Sequence, residues 1–240
     1  MARLQCFIYD LTMNVTDDLA KVAALIGDPA RAVMLWSLLD GQSRPASELA
    51  FYANISAQNA SAHLARLVEA EMLTVAAQGR HRFYRIATPE VARVIEAMAV
   101  LVPSAKNGSQ LPKGQTPDLK YARTCYDHLA GRVAVELCQA LEQRQFLIKE
   151  DLWFCVTEEG ELWFAKIGID LAKLHHRRRP LTRQCLDWSE RRPHLAGVLG
   201  ASLLDRMFHN GWIARVRSTR VIRITTKGKS ELRTLLGLNL

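Results

Sequence analysis

At 240 residues and 49% hydrophobic content, the chain is long enough for one large domain or two small ones, with apolar residues enough for real cores. No run of about eighteen apolar residues occurs, so no transmembrane helix is expected, and the start MARLQCFIYDLTMNV lacks the charged-then-apolar order of a secretory signal. Five Cys at irregular spacing argue against a disulfide framework and for a reducing, cytoplasmic setting. The net charge of +8 is uneven: residues 1–100 hold 9 Lys/Arg against 10 Asp/Glu, and residues 101–240 hold 23 against 14. Attraction for an anionic partner in the first part must therefore come from a local patch.

In chain order, Asp10 to Leu25 reads as a helix. Asp28-Pro29 starts another, with Asp as cap and Pro in the first turn. Its face of Ala32, Val33, Leu35, Trp36, Leu38 and Leu39 runs to a stop at Asp40-Gly41. Pro45-Ala46-Ser47-Glu48 opens a short helix, Asn54-Ile55 makes a turn, and Ser56 caps the next helix. There Ala60, Leu64, Leu67 and Val68 recur at helical spacing and should pack inward. Leu73 to Ala77, a Gln78-Gly79 turn and Phe83 to Ile86 read as a hairpin anchored by Phe83 or Tyr84. Val91 to Leu101 closes this part as a last helix.

A capped helix followed by a cationic hairpin is the reading half of a winged helix-turn-helix. Gln58, Asn59, Ser61, Ala62 and His63, with Ser56 and Arg66 on the same helix, lie where a recognition helix enters the major groove. Asn and Gln pair bidentately with adenine, and Ser donates to bases or phosphates. Arg80, His81, Arg82 and Arg85 cluster at the hairpin, placed for phosphate or the minor groove.

Gly27-Asp28-Pro29-Ala30-Arg31, Ile55-Ser56 to Leu67, and Gln78-Gly79-Arg80-His81 to Tyr84 together resemble the arsenic-repressor-like (ArsR/SmtB) family over roughly residues 16–100. The resemblance implies a dimeric winged-helix repressor that leaves its operator when an effector binds. It puts base contacts on Gln58 to His63 and backbone contacts on Arg80 to Arg85. The chain departs from the family's metal sensors: SELAFYANIS, before the recognition helix, has no Cys, and PEVARVIEAMAV, the last helix, has no His and no spaced ligand set.

Residues 103–118, rich in Pro, Gly, Ser and polar residues, read as a linker. The expected organisation is a DNA-binding and dimerisation domain over 1–102, the linker, and a sensor or DNA-accessory domain over 119–240. That last part is internally duplicated. Cys125-Tyr126-Asp127-His128-Leu129-Ala130-Gly131 is echoed by Cys185-Leu186-Asp187 and His194-Leu195-Ala196-Gly197. Each HLAG opens a helix, followed by strand-like residues, a Thr-x-x-Gly (Thr157 to Gly160, Thr225 to Gly228) and a short helix. The His-to-Gly separation is 32 residues in one copy and 34 in the other. The expected fold is mainly α with small β hairpins: a winged helix-turn-helix, then a pair of helix–hairpin–helix, winged-helix-like modules. Arg215, Arg217, Arg220 and Arg223 give the second copy's hairpin a phosphate-binding look. Glu150 and Asp151 deny it to the first.

Cys125, Asp127, His128, Cys185, Asp187 and His194 form a candidate effector site with three open uses: packing and capping, a reversible Cys125–Cys185 disulfide, or a metal held by thiolate, imidazole and carboxylate. His175-His176 lies nearby in sequence. Trp153, Phe154, Trp163, Phe164, Trp188 and Trp212 build a core or line an apolar pocket. HHRRRPLTR (175–183) reads as a solvated link between copies, with an acidic effector as the other use. No phosphate-binding Gly loop, nucleophile elbow or HExxH is present, so neither catalytic residues nor a cofactor is expected. The function expected is a sequence-specific, homodimeric transcriptional repressor on a roughly palindromic double-stranded operator, released by a small-molecule, thiol-reactive or metal effector. A winged-helix interaction adaptor is the other class, and a metal-responsive regulator using the C-terminal Cys and His residues is a variant of the first.

Overall fold

A computed structural model describes residues 15–102, 117–174 and 179–240. The N-terminal run before Val15, nearly all of the expected linker and His175-His176 lie outside the described residues. The described chain falls into two compact units, one over 15–91 and one built from 92–102, 117–174 and 179–240. No helix among the described residues is long and apolar enough to cross a membrane.

The first unit contains helices α1 (15–26), α2 (Pro29–Ser37), α3 (Ala46–Ala53) and α4 (Ala57–Glu69) and a three-stranded sheet. The Gly27 to Arg31 motif acts through local hydrogen bonds. Asp28 caps α2 by accepting from the Arg31 amide (2.9 Å), and Pro29 occupies the first turn. The Arg31 guanidinium then reaches back to the carbonyls of Leu25 (2.6 Å) and Ala24 (2.9 Å), which would otherwise end α1 unsatisfied. Asn54 ends α3 in the left-handed region at φ 52, and Ser56 caps α4. Met34, Leu35, Leu38, Leu39, Leu49, Ala60, Leu64 and Leu67 are buried.

Strands β2 (Leu73–Gln78) and β3 (His81–Ile86) form the hairpin in the register Leu73↔Ile86 to Gln78↔His81. Gly79 sits in its two-residue loop at φ 60, a conformation that strains other residues. Tyr84 is the buried anchor. A third strand, β1 (Arg44–Pro45), pairs with β3. Its Arg44 side chain is buried, donating to Asp40 (2.5 Å), Glu48 (3.2 Å) and the Ser37 carbonyl (3.0 Å), and so ties the hairpin to α2 and α3.

The second unit includes most of α5 (Pro89–Leu101), then α6 (Pro117–Tyr121). Two copies of one pattern follow. The first runs β4 (Arg123–Cys125), β5 (His128–Ala130), α7 (Arg132–Gln143), β6 (Leu147–Lys149), β7 (Phe154–Val156) and α8 (Glu158–Lys166). The second runs β8 (Arg183–Leu186), β9 (Pro193–Ala196), α9 (Gly197–His209), β10 (Ile213–Arg215), β11 (Ile222–Ile224) and α10 (Thr226–Leu236). The repeat is therefore hairpin–helix–hairpin–helix, one hairpin longer than the sequence suggests. His-Leu-Ala does not open a helix: it is the return strand of the first hairpin, and the Gly after it turns the chain sharply, with φ 88 at Gly131 and φ 84 at Gly197.

The copies interlock. Helix α7 packs on β9 of the other copy, α9 packs on β5, and both contribute to one apolar core. Phe154, Trp163, Phe164 and Trp212 belong to that core and Trp188 is buried, while Trp153 is exposed. All of these aromatics but Trp153 therefore build the interior.

Thr-x-x-Gly is the same device in both copies. The Thr157 hydroxyl accepts from the Gly160 amide (3.0 Å) and donates to the Gln145 carbonyl (2.7 Å). Thr225 does so with Gly228 (2.9 Å) and Gly211 (2.7 Å). The glycine is needed because a backbone carbonyl presses on it: a Cβ would sit 2.2 Å from the Phe146 oxygen at Gly160 and 2.0 Å from the Trp212 oxygen at Gly228. Gly160→Ala and Gly228→Ala should each cost about 1–3 kcal/mol by overpacking. Gly211→Ala, which meets nothing within 4 Å but has φ 69, should cost about 1–2 kcal/mol, from backbone strain alone. Urea unfolding midpoints at constant m-value check both.

Helix α5 is held in the second unit by charge. Glu96, 5% exposed, accepts at Oε1 from Arg123 (3.0 Å), Arg220 (2.8 Å) and the Trp188 indole (3.1 Å). Arg191 donates to the carbonyls of Val100 and Val102 at the helix end. Arg123, 1% exposed, continues to Asp187 (3.0 Å), whose other oxygen accepts from Ser189.

Candidate functional site

Helix α4 presents Ser56, Gln58, Asn59, Ser61, Ala62 and Arg66 to solvent, because its Ala60, Leu64 and Leu67 stripe turns the opposite face inward. Ser56 spends an acceptor on the Asn59 amide (3.2 Å), and Ser61 donates to the Ala57 carbonyl (2.9 Å). Across a concave groove from Ser61 and Ala65 stand Arg80, His81 and Arg82 of the hairpin. Arg80, His81, Arg82 and Arg85 are all exposed. The helix and the cationic hairpin thus border the same cleft, as a reading helix and its wing require.

His63 departs from the expectation. It lies on the turn between Ala60 and Leu67, half-buried, with Nδ1 3.3 Å from Arg31 Nη1 and 3.5 Å from Asp28 Oδ1. Its contacts run to the start of α2, so it fixes α4 and is withdrawn from the outward set. In the second copy's hairpin, Arg220 is likewise withdrawn from phosphate. It is committed to Glu96 and to the Thr124 carbonyl (3.2 Å), whereas Arg217 and Arg223 are exposed and Arg215 lies 4.5 Å from the Phe208 ring centre.

The second unit brings four of its six candidate residues to one point. Cys125 pairs with His128 across β4–β5, and Cys185 pairs with His194 across β8–β9. One donor atom from each of the four lies within 4.8 Å of all the others. The two Nε2 atoms are 3.1 Å apart. Behind the rings stand the aspartates: Asp127 Oδ1 is 3.3 Å from Nδ1 of His128, and Asp187 Oδ2 is 3.6 Å from Nδ1 of His194. Each aspartate is balanced by an arginine, Arg179 (2.5 Å) on Asp127 and Arg123 (3.0 Å) on Asp187. The hydrogen bond from Cys125 to Cys185, reinforced by burial, pushes the Cys125 thiol up to about 12, and the same bond lowers Cys185. Burial depresses His194. At Asp187 burial acts upward, but the charges of Arg123 and His194 and the bonds from Ser189 and Gly131 outweigh it, leaving the carboxyl at about 2.

No known family profile matches the chain. It is 48% identical over 212 residues to YdfF of Bacillus subtilis strain 168, an uncharacterized HTH-type transcriptional regulator; the match takes in 88% of this chain and 94% of that protein. The chain belongs to the helix-turn-helix transcriptional regulators. A match of that extent cannot be confined to the winged unit, so the duplicated part is shared as well. Among solved structures, the winged helix-turn-helix domain of Mb0332 from Mycobacterium bovis, a possible ArsR-family regulator, matches 38% of this regulator and 84% of its own chain at 26% identity, TM-score 0.35. The cadmium sensor CmtR of Mycobacterium tuberculosis matches 38% and 93% at 30% identity, TM-score 0.29.

Sequence reasoning missed the residues that carry this regulator's buried charge. Arg44, Glu96 and Arg123 looked like ordinary surface residues, and Arg220 like a phosphate contact. One signal was available: Arg-x-Cys-x-Asp occurs at Arg123 and again at Arg183, so Arg123 and Asp187 belong to the duplicated pattern.

Proposed function

We propose that this DNA-binding transcriptional regulator is a homodimeric repressor that reads a roughly palindromic operator with α4, grips the backbone with its wing, and is released by a chemical signal received in the second unit. The reading rests on one observation: Gln58, Asn59 and Ser61 are exposed on α4, and the same helix, through Ala57, Ser61 and Ala65, forms one wall of a groove whose other wall is the arginine-bearing hairpin. Two apolar stripes support the dimer. Val15, Leu19 and Val22 are exposed along α1, and Val94, Met98 and Leu101 along α5, each at helical spacing. The protein acts in the cytoplasm, where its DNA is.

Binding of the purified protein to DNA from its own promoter, followed by fluorescence anisotropy, tests the assignment. Asn59→Ala should relax preference at particular base pairs, with a cost of about 1–3 kcal/mol on the cognate site and little on random DNA. Arg82→Ala should weaken cognate and random DNA alike. Identical effects of both changes on both DNAs would sink the reading helix, and an absence of binding would leave the winged helix as an interaction scaffold.

A further inference from the structure

We propose that Cys125, His128, Cys185 and His194 form a four-coordinate site for one borderline or soft divalent cation, with Zn²⁺ as the reference ion. The donor set comes from two places 60 residues apart, Cys125 and Cys185, and the fold superposes them by the same register in each copy. Tetrahedral zinc, with Zn–N of about 2.0–2.1 Å and Zn–S of about 2.3 Å, sets its ligand atoms about 3.3–3.8 Å apart. The imidazole nitrogens stand 3.1 Å apart and all four donors lie within 4.8 Å of one another, so side-chain shifts of about 1 Å or less bring them to that cage.

The ring protons point the same way. If each ring keeps its proton on Nδ1, facing its aspartate, two Nε2 lone pairs confront each other at 3.1 Å. If one ring moves its proton to Nε2 to bond the other, it turns a bare Nδ1 toward Asp127 or Asp187. A cation at the centre removes the conflict in both copies at once. It leaves Asp127, 3.3 Å from Nδ1, as an outer partner that fixes the His128 ring and raises its basicity, with Asp187 3.6 Å behind His194. Charge also closes: two thiolates neutralise a divalent ion, the histidines bind neutral, and each aspartate already has its arginine. Loading releases the two thiol protons to solvent. Thiolate with imidazole selects zinc-like ions over magnesium or calcium.

The full-length protein, reduced and stripped with a chelator, is titrated with Co²⁺ and then with Zn²⁺. The expected result is one Co²⁺ per chain, with the intense visible bands of tetrahedral cobalt and a near-ultraviolet thiolate charge-transfer band, displaced by Zn²⁺. Cys185→Ser should lose about half of the charge-transfer intensity, and Cys155→Ser, an exposed thiol elsewhere, should change nothing. Asp127→Asn, which touches no metal, should keep the spectrum and weaken binding about 10–100-fold. The proposal is overturned if folded, reduced protein shows no tetrahedral cobalt spectrum, or if Cys155→Ser is as damaging as Cys185→Ser. It is equally overturned if mass spectrometry finds a Cys125–Cys185 disulfide in protein that takes up no cobalt under reduction, which would make the pair a redox element. No readout involves DNA, so failure here leaves the transcriptional reading intact.

Discussion

Replacing Arg123 with alanine should destabilise the second unit by about 3–5 kcal/mol, the cost of stranding buried charge. Arg123 is 1% exposed, lies between the carboxylates of Glu96 and Asp187 at 3.0 Å each, and is stacked 5.0 Å from the Trp188 ring centre. Without it, among the described residues, Glu96 keeps Arg220 as its cation and Asp187 keeps its neutral donors and His194. Arg123→Lys keeps the charge but loses the fork that serves both carboxylates, so it should fall between. Urea unfolding followed by tryptophan fluorescence reports chiefly on this unit, since Trp36 is the single tryptophan outside it.

The effect should depend on pH with a defined sign. Burial pushes Glu96 and Asp187 upward, but the arginines beside them prevail and hold both below the usual carboxylate range. Groups with a depressed folded value stabilise above their unfolded value, and this support is lost as pH falls through the folded one. For Asp187 that window runs from 3.8 down to about 2. In Arg123→Ala burial is offset at Glu96 only by Arg220 and the Trp188 indole, so its folded value should rise. The penalty should therefore be largest near neutrality and shrink toward acid. A penalty independent of pH would mean that Arg123 acts by packing its stem and not by its charge.

The same residues connect the Cys/His cluster to α5. Asp187 stands behind His194 and also holds Arg123, and Arg123 holds Glu96 on the helix that continues the chain from the wing. Two buried ion pairs thus link the cluster to the helix that follows the wing. This is a physical connection through charged contacts; coupling free energy between the two ends is a separate measurement.

The winged unit was legible because its signals are local. Asp28-Pro29, Asn54, Ser56 and Gly79 each fix a boundary through their own backbone demands, and the spacing of Ala60, Leu64 and Leu67 gives the buried face of α4. The contacts of His63 with Arg31 and Asp28 were not legible because position 63 sits at the margin of that face, where spacing alone does not say what the ring meets. Strand β1 was invisible: two residues carry no period, and the partner of Arg44, Tyr84, is far along the chain. Three-residue strands such as His128–Ala130 suffer the same way, so HLAG looked like a helix start when only its Gly marks the turn. In the second unit the sequence singled out the cysteines and histidines that the structure brings together, but not their cross-strand pairing or the arginine behind each aspartate. Those depend on hairpins from different copies meeting, which no window of sequence contains.

Neutralising the wing should produce the largest loss of DNA binding. Arg80, Arg82 and Arg85 are exposed on one short hairpin, and no ion pair ties them among the described residues. The first part of the chain carries a net charge of −1, so these side chains cannot borrow attraction from their surroundings within it. Each phosphate contact contributes about 0.9 to the slope of log K against log salt. Changing all three to Gln should therefore flatten that slope by about 3 per wing and lower affinity at least roughly 100-fold at ~0.1 M salt. Preference among base pairs should survive, because Gln58, Asn59 and Ser61 are untouched, in contrast to Asn59→Ala. A triple variant with an unchanged salt slope would move the backbone contact elsewhere, with exposed Arg217 and Arg223 of the second unit as the next positions to neutralise. A variant that lost base preference along with affinity would show that the wing reads sequence, by inserting an arginine into a narrow minor groove rather than gripping phosphate.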